Sequence, residues 1–155
     1  MQIRLAEKSD VESLIQMRLD FTIEYNLNLK MTNRLYQEYY SEINDFLINA
    51  IESNQWFIWV AEVEEKIVSH IFLELINKVP RPGKKTNPFV YMTNVYTLPS
   101  HRGKGIGSKL LDGIKEWSIS NKYEFIIVWP SDTSIDFYKK NEYKHCKEPM
   151  EMMLD

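Results

Sequence analysis

Cysteine occurs once in the 155 residues, at Cys146. No intramolecular disulfide can form, and a lone thiol with the scattered His70, His101 and His145 offers neither metal-ligand spacing nor a nucleophile arrangement. No metal is expected. No apolar run is long enough to span a bilayer, and the N-terminus has no secretory apolar core, so the expectation is a cytoplasmic protein without membrane contact. Positive charge is not in excess: 19 Lys and Arg stand against 22 Asp and Glu, a net charge of −3. That balance argues against a general nucleic-acid surface. Repeats, low-complexity tracts and linkers are absent as well. With 44% hydrophobic residues, residues 1–155 read as one domain with a core of its own. Glycine is sparse, five in the chain, yet three of the five are Gly103, Gly105 and Gly107.

Those glycines sit inside the stretch around which the chain is organised. Phe89 to Thr97 is dense in aromatic and β-branched residues, the composition of a strand, and it stops at Pro99. Beyond it Ile106, Leu110, Ile114 and Trp117 recur at helical spacing, predicting an amphipathic helix to about Asn121. Between strand and helix lies Arg102-Gly103-Lys104-Gly105-Ile106-Gly107-Ser108. Alternate glycines at a helix start leave backbone N–H groups uncovered at the positive end of the helix dipole, which favours a phosphate. Lys84, Lys85, Arg102, Lys104 and Lys109 give the turn a basic setting. Spacing rejects two phosphate-binding motifs. A Walker A loop needs four residues between its first Gly and Gly-Lys-Ser/Thr; a dinucleotide fingerprint needs Gly where Ser108 stands and an acid where Trp129-Pro130 ends the next strand.

The remaining elements follow from periodicity. Gln2 to Leu5 reads as a short strand. Ser9 and Glu12 have capping-box spacing, which predicts a helix starting there with Val11, Leu14, Ile15 and Leu19 on its apolar stripe. Asn26 to Thr32 interrupts, and Tyr36 to Ile51 traces a second amphipathic helix with Glu38, Glu42 and Asp45 opposite the stripe. Gln55 to Glu62 and Lys66 to Leu75 read as a hairpin, Asn77 to Pro88 as a loop, and Tyr123 to Trp129 as a strand buried on both faces and parallel to its neighbour. Ser131 or Asp132 can cap a short helix that Asn141 closes in a left-handed conformation, and Lys144 to Asp155 should add one or two edge strands. An exposed last strand could pair with a second copy, giving a homodimer.

Arg-x-x-Gly-x-Gly after a strand ending Asn94-Val95-Tyr96-Thr97 resembles the acyl-CoA signature of the GNAT superfamily of N-acyltransferases. Ser131 to Tyr143, with Phe137-Tyr138, is similar to that family's next motif. The resemblance implies an α/β single domain: a mixed, mostly antiparallel sheet with splayed central parallel strands, flanked by helices. It implies that Asn94, Val95, Tyr96 and Thr97 border the pantetheine arm of acetyl-CoA. The diphosphate would rest on Gly103, Lys104, Gly105, Ile106, Gly107 and Ser108 with Arg102 at the edge, and Ser131 would take a position where relatives often carry Asn. Tyr138 would assist departure of the thiolate. Relatives often supply a base from a glutamate early on the central strand; Phe89 to Thr97 has no carboxylate, which leaves Glu74, Glu62 or a relayed water. The expected activity is acetyl transfer from acetyl-CoA to a primary amine within a ternary complex. The rival readings are a non-catalytic CoA-binding module and a structural or partner-binding domain.

Overall fold

Five strands form one sheet in the order in which they occur along the chain. The computed structural model describes residues 1–154, and its strands are β1 (Gln2–Leu5), β2 (Trp56–Val63), β3 (Lys66–Ile76), β4 (Phe89–Thr97) and β5 (Ile126–Val128). The first three junctions are antiparallel; β4 and β5 are parallel. Helix α3 (Ile106–Ser120) supplies the crossover that parallel neighbours require. Helices α1 (Val11–Tyr25) and α2 (Asn33–Glu52) cover one face, and α3 with the short α4 (Ile135–Lys140) covers the other. The expected α/β architecture is the one observed.

Alternation along the strands builds the two cores. On β3, Ile67 and Phe72 pack under α1 and α2, whereas Val68, Ile71 and Leu73 pack under α3. The two-residue period of a strand sets the faces of Ile71, Phe72 and Leu73, and a register shift opposite Ala61 and Glu62 resets the phase for Ile67 and Val68. Burying these aliphatic groups contributes about 1.5–3 kcal/mol each relative to exposure. The β2–β3 hairpin turns through Glu64 and Glu65, with φ of +50° and +61°, a two-residue turn whose twist matches the strands.

Several local expectations give way to tertiary context. The N-terminal cap is not at Ser9. A short 3-10 turn over Lys8–Asp10 precedes α1, capped by Glu7 with Asp10, because buried Asp10 also accepts from Arg4 at 2.7 and 3.0 Å. Arg4 reaches Glu62 on β2 as well, at 2.6 Å, tying β1, α1 and β2 together. At the end of α4 it is Glu142, at φ +70°, and not Asn141, that turns left-handed. No strand forms among residues 144–154, which are exposed; Asp155 lies outside the described residues. Consequently β5 is a sheet edge. Its three residues are only half-buried, and Phe125 and Trp129 beside it are 47% and 61% exposed, where the sequence suggested a strand covered on both faces.

Candidate active site

A groove opens where β4 parts from β5. Their pairing runs Val90↔Ile126, Tyr91↔Ile127 and Met92↔Val128 and goes no further. Just beyond, Asn94 has φ +49°, and the register against β3 slips between His70, opposite Tyr96, and Phe72, opposite Thr93. One extra β4 residue is thus accommodated as a bulge, which bends a strand and interrupts its ladder. Buried side chains of β3 hold the bulged segment. His70 Nδ1 donates to the Asn94 carbonyl at 2.9 Å, and Ser69 Oγ donates to the Tyr96 carbonyl at 3.0 Å. With its proton on Nδ1, His70 keeps Nε2 as a buried acceptor without a partner among the described residues. Burial pushes this imidazole down to about 4, so it is neutral at pH 7.

The groove, about 860 Å³, passes from Tyr91 and Trp129 along Thr93–Thr97 to Gly103 and Gly105–Ser108. Its size lies within the range of small-molecule sites. At the glycine end the backbone is bare. Gly103 and Gly105 take φ of +73° and +74°, and a Cβ on either would meet nothing within 4 Å. Gly105 caps α3 without a side-chain bond, and the first amide engaged near the helix start is Lys109 N–H, to Gly105 O at 3.1 Å. The N–H groups of Ile106, Gly107 and Ser108 therefore remain available at the positive end of a four-turn dipole, which suits a diphosphate. Gly107 has another duty: a Cβ there would stand 3.1 Å from the Phe137 ring, so its absence lets α3 and α4 pack closely.

Arg102 lines the groove beside this turn, and its guanidinium is engaged. Nε donates to Thr97 O at 2.9 Å, and Nη1 and Nη2 donate to the Glu24 carboxylate at 2.6 and 2.8 Å. Tyr96 OH adds a donor to Glu24 at 3.3 Å. The Arg102 hydrogen bonds, opposed by partial burial, hold Glu24 below the ordinary carboxylate range. Lys104 turns away, its Nζ on Ser100 O at 3.0 Å, and it does not line the groove. Ser131 does line it, with Oγ donating to Ser134 Oγ at 3.1 Å.

Tyr138 projects from α4 onto the groove wall, 6% exposed, between Phe137 and Tyr143. Burial pushes its phenol up to about 12, and the hydroxyl stays protonated through the physiological range. A protonated phenol offers a hydrogen-bond donor to the groove. Glu74 is not brought to the groove. Its carboxylate accepts from Gln55 Nε2 at 2.9 Å, and Tyr91, its neighbour across the ladder, stands at the groove instead. None of the lining residues is acidic. A glutamate base in direct contact has no counterpart among the described residues, because Glu74 is turned to Gln55 and Tyr91 occupies the groove wall.

Arg18 and Trp129 are among the lining residues that the sequence did not assign to the site. Arg18 donates from Nη1 to Asn94 Oδ1 at 3.1 Å, and the Trp129 ring meets Tyr91 edge-on at 4.6 Å. A signal existed for the first: Leu14, Arg18, Phe21 and Tyr25 are spaced by four, three and four along α1, so a charge intrudes on the apolar face.

A sequence model of the acetyltransferase (GNAT) family matches residues 22–143, the segment that holds the bulge, the glycine turn and Tyr138. The chain belongs to the GNAT acetyltransferase family. Across 66 residues it is 36% identical to "Acetyl transferase GW6a" of Oryza sativa subsp. japonica, covering 41% of this chain but only 16% of the rice protein. A "predicted acetyltransferase" of Clostridium acetobutylicum, crystallised with acetyl-CoA, superposes with a TM-score of 0.74 at 25% identity over 98% of this chain and 95% of its own. An aminoglycoside acetyltransferase from an uncultured soil metagenomic sample, in complex with sisomicin, shares the fold with a TM-score of 0.74 at 16% identity over 99% and 95%. GNAT proteins are acyltransferases that draw on acyl-CoA. No helix among the described residues is long and apolar enough to cross a membrane.

Proposed function

We propose that the protein transfers an acetyl group from acetyl-CoA to a primary amine of a small molecule or peptide, by direct attack with both substrates bound. The observation that carries this reading is the continuity of one groove from the β4–β5 divergence to the bare amides of α3. Those amides and Arg102 would hold the diphosphate, and the β4 backbone from Asn94 to Thr97 would pair with the amides of the pantetheine arm as an added strand does. The thioester then lies beside Thr93 and Asn94. A backbone N–H of Val95 or Tyr96 would stabilise the tetrahedral oxyanion.

Delivering an alkyl amine of pKa about 10 in neutral form at pH 7 costs roughly 4 kcal/mol. With no acidic side chain lining the groove, the proton leaves through water; Glu74, one strand away behind Tyr91, would act only at the end of such a relay. The Tyr138 hydroxyl would donate a hydrogen bond to the departing sulfur, because a phenol held near 12 gives up its proton too reluctantly for complete prior transfer.

Mixing the protein with acetyl-CoA and a panel of amines while following free thiol tests the proposal. Tyr138→Phe is expected to lower kcat about 10- to 100-fold while changing CoA affinity less than threefold. CoA binding with no thiol release from any amine would favour the non-catalytic module, for which Tyr138→Phe leaves every measured property intact. Absence of CoA binding removes both readings.

A further inference from the structure

Charge inside the groove is one-sided. Arg18, Arg102 and Lys140 line it, and no carboxylate does. Of the nearby acids of α1, Glu24 holds Arg102, and Asp20, which accepts from Gln16 Nε2 at 2.8 Å, does not line the groove. Arg18 differs from every other arginine in the chain. Arg4, Arg34, Arg81 and Arg102 each meet a carboxylate within 4.0 Å. Half-buried Arg18 meets none among the described residues. Among the described residues its only side-chain hydrogen bond runs from Nη1 to Asn94 Oδ1, and its guanidinium carbon lies over the Phe21 ring, 5.2 Å from the centroid. Nε and Nη2 are thus uncommitted donors at the point where β4 and β5 diverge.

A guanidinium partly removed from water and lacking a counter-charge favours an anion, and its fork matches a carboxylate. Two aromatic pairs line the same groove, Phe21 with Tyr25 and Tyr91 with Trp129. A polycationic acceptor would meet like charge here and find no acid to bind.

We infer that the acceptor is a carboxylate-bearing amine, an α-amino acid with an aromatic or large apolar side chain, whose carboxylate is held by Arg18. The inference rests on the acyltransferase reading above and narrows its acceptor. Attack by the neutral amine forms the N–C bond and breaks the C–S bond; one proton passes to water, one proton returns to the sulfur, and the carboxylate stays on Arg18 unchanged. Arg18 contacts substrate but not the reacting atoms, so it sets specificity.

The test compares phenylalanine with phenylalanine amide, phenethylamine and spermidine at saturating acetyl-CoA, and titrates the same compounds into the CoA-loaded protein as a measure independent of turnover. Expected is a kcat/KM, or an affinity, at least tenfold higher for phenylalanine than for the other three. Arg18→Gln should bring that ratio near unity through KM, and Arg18→Lys should restore part of it. The affinity of either variant for acetyl-CoA is expected to stay within threefold of the parent, which separates a specificity effect from misfolding. Equal or better use of phenethylamine or spermidine by the parent overturns the inference while leaving the acyltransferase reading intact. Binding of phenylalanine with the stated selectivity but no thiol release supports the acceptor assignment and counts against catalysis. If CoA binds and phenylalanine neither binds nor reacts, the inference is wrong.

Discussion

His70 is the residue whose chemistry depends most on its surroundings. It is fully buried against Phe72 and Tyr96, faces the Arg18 charge from α1, and is pushed down to about 4, chiefly by burial. An unfolded histidine titrates near 6.5, so between these values the unfolded chain binds a proton that the native chain refuses. Stability is then fully present above about pH 6.5 and falls as pH drops toward about 4, by roughly 3 kcal/mol in all. Urea unfolding at pH 7.5 and pH 4.5 should register that loss, and His70→Leu should flatten the dependence whatever it does to absolute stability. Gly105 is glycine for backbone reasons. Gly105→Ala places a side chain at φ +74°, which costs about 1 kcal/mol and strains the turn whose amides would receive a diphosphate. We expect CoA affinity, measured by calorimetry, to fall more than tenfold. An unchanged affinity would mean that the diphosphate does not rest on this turn.

Among the elements, the β2–β3 hairpin and the Glu24–Arg102 link between α1 and the glycine turn make separable predictions. Glu64 and Glu65 both occupy the left-handed region, where Asn and Gly sit with less strain. The double change Glu64→Asn and Glu65→Gly should therefore raise unfolding free energy by about 1 kcal/mol, read as a higher urea midpoint at constant m. The Glu24–Arg102 pair is partly exposed, at 32% and 42% for the two side chains, so its contribution to stability is small. Its effect on binding is larger, because Arg102 cannot give the same donors to Glu24 and to a diphosphate. Glu24→Gln should tighten CoA two- to fivefold at low salt, less as ionic strength rises; weaker binding would show instead that Glu24 holds Arg102 in its productive position. Most elements were legible from periodicity: Phe89–Thr97 matches β4 at both ends, and the apolar stripe of α3 is the buried one. Errors cluster where a partner outside the local window decides. Arg4 recruits Asp10 as the capping acid, and β5 is short because no further strand covers its outer edge.

For the whole molecule, binding and folding are linked. A ligand bridging α1, β4 and α3 binds only when all three are assembled, so CoA at 100 times its dissociation constant should stabilise the native state by about 2.7 kcal/mol. In a chain of 155 residues that corresponds to a rise in midpoint temperature on the order of 5–10 °C, and a scan with and without CoA checks it. The sequence by itself determined the alternation of strand and helix, the division of apolar residues into two faces, and the bare glycine start of α3. All of these follow from short-range stereochemistry: side-chain period, φ preference and the missing Cβ. Only the tertiary structure decided that β4 bulges at Asn94, that Glu74 lies outside the groove, that Arg102 is shared with Glu24 and that Arg18 stands without a counter-charge. Each depends on which distant segments meet. A local pattern records what a residue can do, and the three-dimensional neighbours it finds determine what it is left free to do.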